Sequence, residues 1–596
     1  MIPELLNRFP QTRPVLDHYG LHGCGGDSGP AETLDFFARA HDVPLKQLMR
    51  EIHAAMAAPS TEAADDTPSE SGIADTIYRP FFKAGIALAL TLGAVWGAYL
   101  LLRIAVHGSF TAVGIHEVNA HGHAQIFGWV GLFVMGFAYQ AFPRFKHTRL
   151  SHPRLAMATL VMMVSGILVR SGSQAFLTMA PWLKGLGVAG SLAEVLAIAL
   201  FAWIIWRTLR GAQKPLVIHD AFILCALGWF FVQAVYGTIY FAATATAPTR
   251  DALLELVATW QAPLRDIQIH GFILLMILGV SHRIFHPFYG LPAPRPRVSA
   301  GVLIALNIGV IGEVVGLVLM RTQGYQWASL WYVSVLLIAG SVLTLVAGWR
   351  LYSPAIDVDR SLKFLRTAYV WLFISLAMLV ALPLYQFVLL PAFAPGSNAV
   401  ELGFSHAYYG AIRHAITVGF VSLMIMGVAT KVVPTLGGID LRTLPRLWVP
   451  FVLINTGCAM RVGFQTMTDF TEVAFPVAGV SGLLEVTALT LWGIHLWRLM
   501  RSSAAELTPL TTGEAIAPHH TVAQVIGAYP QALPVLIGLG FTPLRNPVLR
   551  NTLARTVTLE RAARIQNMPV DELLTHLNAA RIDGTPGLGN PAAATA

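Results

Sequence analysis

The chain has 596 residues, of which 55% are hydrophobic and 12% charged, with a formal net charge of +8 and a mean hydropathy of +0.60. A soluble globular domain does not carry that balance, so the composition excludes a soluble enzyme and implies a polytopic membrane protein. The positive charge sits in short loops between apolar stretches, which accounts for it without a nucleic-acid partner.

The first 56 residues read as a small helical domain, with a single thiol, Cys24, in the turn His22-Gly23-Cys24-Gly25-Gly26. A module of that size is marginal on its own. Residues 57–77 follow as a linker, rich in Pro, Ser, Thr and Ala at its start. Apolar stretches of about 20 residues, the length that crosses a bilayer, then lie near 82–105, 120–142, 154–176, 183–206, 219–243 and 266–285. Six more lie near 299–320, 327–350, 364–390, 405–433, 447–467 and 473–499. Helices satisfy their own backbone groups in lipid, so the expected fold class is all-α: a membrane domain over 78–500 with twelve spans. Residues 501–520 read as a second linker, 521–580 as a second small helical domain and 581–596 as a disordered tail. The end domains look like twins: Pro10, Pro14, Leu16 and Gly20 return 520 residues later, and Thr33, Leu34, Ala38, Pro44 and Leu48 return 525 later.

Loops after even-numbered spans hold seventeen Lys and Arg, among them Arg144, Lys214, Arg283 and Lys431, against four in the opposite loops. Translocation disfavours these residues, so both termini are expected in the cytoplasm. Cys225 and Cys458 fall inside spans, so the three cysteines offer no disulfide framework.

An internal repeat organises the middle. His123, Gly128, Gly136, Pro143, Arg170, Glu194 and Arg207 reappear as His414, Gly419, Gly427, Pro434, Arg461, Glu485 and Arg498, every pair 291 residues apart. A fainter middle copy aligns His270, Gly279 and Arg283 with the same helices, with Leu337 at its glutamate position. Twelve spans thus divide into three sets of four. Spans two, six and ten each carry histidines near the outer end: His121 and His123, His270, and His406 and His414. Ionisable groups in spans are costly and usually functional, and neutral imidazole is the commonest ligand for haem iron and copper. A histidine at one helix end is ordinarily interfacial; three on repeat-related helices point to cofactor binding. Gly128 and Gly419, five residues inward, leave room for a flat ligand or a close helix. His121 and His123 point about 200° apart on one helix, so only one of them faces a given site. No CxxCH motif is present, which disfavours covalent haem. Glu194, Glu313 and Glu485 are candidates for a proton path, but read first as structural carboxylates, hydrogen-bonded or paired with Arg170 and Arg461 between helices, with Arg321 near Glu313 if helix packing allows; His282 and His286 read as inner-end anchors.

Arg79-Pro80-Phe81-Phe82, then His121-Gly122-His123-Ala124-Gln125-Ile126-Phe127-Gly128, Gly136-Phe137, Pro143-Arg144 and Arg413-His414-Ala415 through Gly419-Phe420 resemble the NnrS family. That resemblance implies a haem- and copper-containing membrane protein connected with nitric oxide metabolism, denitrification and nitrosative stress. The arrangement is also similar to the catalytic subunit of haem-copper oxidases. There His121 or His123 and a helix-ten histidine would ligate non-covalent, b-type haem, and His270 would sit at the copper or non-haem iron position. Span seven lacks that superfamily's histidine pair, so copper would call on His406 or His116. The first module resembles the opening domain of ScdA-type iron-sulfur repair proteins, which makes Cys24 a candidate thiol site. The expectation is an integral membrane haem protein that binds or turns over nitric oxide, supplied by an unidentified electron donor, with its modules available to a protein partner. The alternative is a haem-free transporter or sensor that signals through the cytoplasmic modules.

Overall fold

The computed structural model describes residues 1–22, 24–26, 29–57, 71–501, 510, 513–546, 550, 554, 557–566 and 568–583. Most of the first expected linker, half of the second, and the expected tail from residue 584 onward lie outside them. The described chain is all-helical, with one isolated bridge, Thr521 to Thr558, and no longer strand. Eleven helices are long and apolar enough to cross a membrane: α1 (Gly72–His107), α2 (Ile115–Phe145), α3 (Pro153–Ala175), α4 (Trp182–Arg210), α5 (Ile218–Ala245), α6 (Arg250–Tyr289), α7 (Pro296–Thr322), α8 (Tyr325–Trp349), α9 (Leu362–Val380), α10 (His406–Leu436) and α12 (Ala474–Leu499). The remaining expected span is present as the 20-residue helix α11 (Trp448–Met467). It falls short in apolarity because it carries Asn455, Arg461 and Gln465, which face protein instead of lipid: Asn455 accepts from the Trp371 indole at 2.8 Å, and Arg461 and Gln465 are buried.

Burial singles out three helices. In α2 and α6, 89% of the most apolar window is buried, and in α10 72%, against 39–50% in the other eight. The histidine-bearing helices therefore form the interior, and the rest wrap them and face lipid. Each interior helix contains an eight-residue π-helical stretch: Ala124–Gly131, Ile267–Leu274 and Ala415–Ser422. Such stretches are rare and cluster at functional sites. The first and third begin directly after His123 and His414, and the second contains His270.

Glycine sets the helix crossings. A Cβ on Gly128 would lie 3.1 Å from Leu88, on Gly271 3.0 Å from Trp229, and on Gly419 2.4 Å from Trp371. Gly128 and Gly419 thus serve close approach to a neighbouring helix.

Two helical modules flank the bundle. The first packs Ile2–Arg8, Arg13–His18, Leu34–His41 and Leu45–Ala57 around Ile2, Leu16, Phe37 and Leu48, all fully buried. The second packs Val522–Ala528, Ala532–Gly538, Leu559–Ile565 and Val570–Asp583 around Val525, Leu536, Leu559 and Leu573. They share local devices: Gly20 and Gly540 turn with φ of 98° and 96°, and Thr33 and Thr558 cap their helices by accepting from Phe36 N and Arg561 N.

The first module is docked on the C-terminal ends of α2, α6 and α10. Arg144 donates to His22 O at 2.6 Å, Arg283 to Ala40 O, and Lys214 to His41 O at 2.6 Å. In return Gly25 N donates to Leu436 O at 3.0 Å, and Arg39 donates to Pro287 O at 3.0 Å and Asp357 at 2.7 Å. The cations of the core thus find hydrogen-bond acceptors in backbone carbonyls of the module.

Candidate functional site

The histidines fall into three neighbourhoods with different partners. In the first, His123 on α2 is buried and its Nε2 lies 2.9 Å from the Glu194 carboxylate on α4. Its ring stacks on Phe127 at 4.3 Å. Glu194 reaches inward because Gly166 on α3 has no side chain: a Cβ there would stand 2.7 Å from Glu194 Cγ. Arg170, one turn further along α3, donates to Gln174 Oε1 at 2.6 Å and lies 3.5 Å above the Phe241 ring. The glutamate is bonded to histidine here, and not to the arginine that the sequence offered as its structural partner.

In the second, His414 on α10 and His121 on α2 are set alike. His414 Nδ1 lies 3.0 Å from Gly410 O, and His121 Nδ1 lies 3.0 Å from Gly93 O on α1. A carbonyl only accepts, so each Nδ1 carries the hydrogen and each Nε2 presents a lone pair. Neither Nε2 has a hydrogen-bond partner among the described residues. His121 fits against α1 because Gly97 lacks a Cβ, which would stand 2.4 Å from the imidazole. The two histidines lie within electrostatic range of one another and of Arg461. His121 and His123 therefore face different walls, α1 and α4, as their angular separation requires.

In the third, His270 Nδ1 on α6 lies 2.7 Å from Glu313 on α7, so Glu313 pairs with histidine and not with Arg321. Asp266, one turn before His270, lies 3.6 Å from Arg413. A cavity of about 20 Å³, bordered by Asp266, His270, Tyr409 and Arg413, is large enough for a water molecule. Arg265, next to Asp266 in the chain, donates to Gln268 at 2.8 Å and Asn119 at 3.0 Å. Asp266, Arg265, Arg413, Gln174 and Gln465 escaped the sequence reading. In the alignment that the sequence suggests through Gly279, Asp266 falls at the position of His123 and His414, and that difference was the signal that could have found it.

The structure does not gather the proposed metal ligands. His116 has a buried Nδ1 without a partner, His406 lies edge-on to Phe404 at 5.0 Å, and His270 is held by Glu313. Among the described residues no group of three or more His, Cys, Asp or Glu could hold a metal ion. At the inner end, His282 Nε2 lies 2.8 Å from Ser299 Oγ and His286 Nδ1 2.7 Å from Leu291 O, both helix-end contacts. Cys24 is buried at the docking face with its Sγ 3.7 Å from Thr435 O. Burial pushes its thiol up to about 12, which leaves it protonated and unreactive at neutral pH.

A family model described as NnrS protein matches residues 74–503, the whole bundle. A second, described as a domain of unknown function (DUF1858), matches residues 516–574, the C-terminal module. No curated protein matches the chain.

Proposed function

The chain belongs to the NnrS family of membrane proteins, associated with the response to nitric oxide, and on that premise we propose that it holds non-covalent haem with His121 and His414 and binds or turns over nitric oxide there. The observation that carries this reading is the shared state of the two imidazoles. Each spends its Nδ1 hydrogen on a backbone carbonyl, the second-shell bond that fixes the tautomer of metal-bound histidine, and each leaves Nε2 unspent. Bound haem would supply an iron that takes a diatomic gas and passes electrons. The chain's own residues hold the imidazoles in place and exclude water with an interior that is almost wholly buried. His270, with Nδ1 on Glu313, presents Nε2 in the same manner, but the described residues bring it no companion ligands, so the donor set does not fit copper. In this reading Glu313, bonded to His270, and the small cavity that His270 and Asp266 border hold or pass protons. With basic loops inside, both termini are cytoplasmic and the histidines lie toward the outer side of a bacterial inner membrane.

A reduced-minus-oxidised visible spectrum of the detergent-purified protein, repeated with nitric oxide, tests this. A histidine-ligated haem spectrum that changes with nitric oxide supports it; a folded, colourless protein from haem-replete cells overturns it. One observation favours a second reading, a membrane sensor: the N-terminal module grips the inner ends of the three helices that carry the histidines, so a change at the site would reach the cytoplasm. Gas- or substrate-dependent release of that module from haem-free protein would favour it.

A further inference from the structure

The first and third copies of the repeat place the same four residues 291 positions apart, yet their polar groups are paired differently. Around His123 both pairings form: Glu194 is bonded to the imidazole and Arg170 to Gln174, with Phe241 beneath the guanidinium, and only Arg170 Nε and Gln174 Nε2 of the set are left without a partner. Around His414 neither pairing forms. Arg461 Nε and Nη1, Gln465 Oε1 and Glu485 Oε1 are buried without a hydrogen-bond partner, although Arg461 is 7% and Gln465 4% exposed. The Gln465 amide nitrogen is instead turned to α10, 2.2 Å from where a Cβ on Gly410 would stand. An unmet buried polar group costs about 1–3 kcal/mol, and more when charged. Such groups in a native protein call for an explanation, and here the four atoms lie on α11 and α12, the helices packed against α10, with Arg461 within electrostatic range of the His414 imidazole.

We propose that Arg461, with Gln465 and Glu485 beside it, is a binding subsite for an oxyanion, and that it takes a carboxylate of the haem held by His121 and His414. The inference rests on the haem reading above. The chemistry selects the ligand class: a buried guanidinium next to two imidazoles repels a bare metal cation and attracts a group that brings its own negative charge. Arg461 has five N–H donors, enough to serve a ligand carboxylate and Glu485 together, and Gln465 donates once its amide turns. The oxyanion has two sources, a carboxylate on the macrocycle or a free ion such as nitrite, and they are separable.

Full-length protein produced without haem is titrated with haemin and with haemin dimethyl ester, in wild type, Arg461→Gln, Arg461→Lys and the symmetry control Arg170→Gln. Wild type and Arg170→Gln bind the free acid about 10- to 100-fold more tightly than the ester, the range of a charged buried hydrogen bond. Arg461→Gln loses that preference, and Arg461→Lys, which keeps the charge without the fork and is the less disruptive of the two, retains part of it. Equal binding of acid and ester in all four proteins overturns the carboxylate assignment. If nitrite then shifts the haem spectrum of wild type but not of Arg461→Gln, the subsite belongs to the free oxyanion; if it shifts neither, the subsite is refuted. A wild type that takes up neither macrocycle refutes the haem reading itself, and the subsite with it.

Discussion

The two end modules are built alike and used differently. Both turn at a glycine with φ near 97° (Gly20 at 98°, Gly540 at 96°), and both cap a helix with threonine. The first is fastened to the core by Arg144, Arg283 and Lys214 through its backbone carbonyls. Its face also brings Phe36 against Phe288 at 5.6 Å and under the Lys431 ammonium at 5.1 Å. The corresponding residue of the second module is Arg561, a cation that would face the core's own cations. His41 likewise corresponds to Gln566. Docking is thus a property of a few surface residues laid over a shared fold, and the modules are not interchangeable.

The comparison breaks most visibly at Arg283. Its removal as Arg283→Ala takes away a charged hydrogen bond worth about 1.5–3 kcal/mol and so shifts docking toward release by about 10- to 100-fold. Maleimide labelling of Cys24, in a Cys225→Ser, Cys458→Ser background, reads this, because Cys24 is covered at the docking face; an unchanged labelling rate would show that the module is held by other contacts. Glycine comes next. Gly20→Ala adds a Cβ 2.5 Å from Arg144 O, whereas at Gly540 the nearest atom is a side-chain end at 3.3 Å. Both substitutions carry the strain of positive φ, about 1–3 kcal/mol, but Gly20→Ala alone is expected to raise Cys24 labelling.

A pH dependence sharpens the comparison further. Burial beside Arg283, His147, Lys214 and Arg144 holds the His41 imidazole well below its usual 6.5, so docking is weakened as pH falls below 6.5. Burial raises Glu32, which faces Lys431 and Thr435, to about 7 from 4.5, so its contribution is lost as pH rises from 4.5 toward 7. The two slopes oppose one another between 4.5 and 6.5, where wild-type labelling is expected to be nearly flat. Glu32→Gln exposes the His41 slope, and His41→Ala the Glu32 slope, each approaching tenfold per pH unit; flat profiles in both variants would remove the two groups from the docking equilibrium. The smallest effect is a similarity. Thr33→Ala and Thr558→Ala each lose a cap worth about 1 kcal/mol, and calorimetry should find the two costs alike.

Much of this architecture is legible in the chain. Apolar length located the helices, and the 291-residue offset picked out the buried His123, Arg170, Glu194 and Arg461 before any contact was known. The span count was less secure at α11, whose Asn455, Arg461 and Gln465 face protein and dilute the apolar signal. Partner choice was not legible at all. Sequence offered Arg170 for Glu194 and Arg321 for Glu313, but both carboxylates bond histidines, because approach is decided by small residues such as Gly166 on a neighbouring helix. Nor could spacing tell His121 from His123: the distinction lies in Gly93 and Gly97 on α1, which admit one imidazole and accept its hydrogen. Docking of the first module was invisible because backbone carbonyls, which carry no sequence identity, are the acceptors.

The most direct test of the central claim is the haem-to-protein ratio of the purified full chain in wild type and in His121→Ala, His414→Ala and His123→Ala. The structure predicts haem in wild type, its loss from His121→Ala and His414→Ala with the helical content unchanged, and its retention in His123→Ala, whose imidazole is already committed to Glu194. Full haem in both His121→Ala and His414→Ala, or loss confined to His123→Ala, would contradict the account.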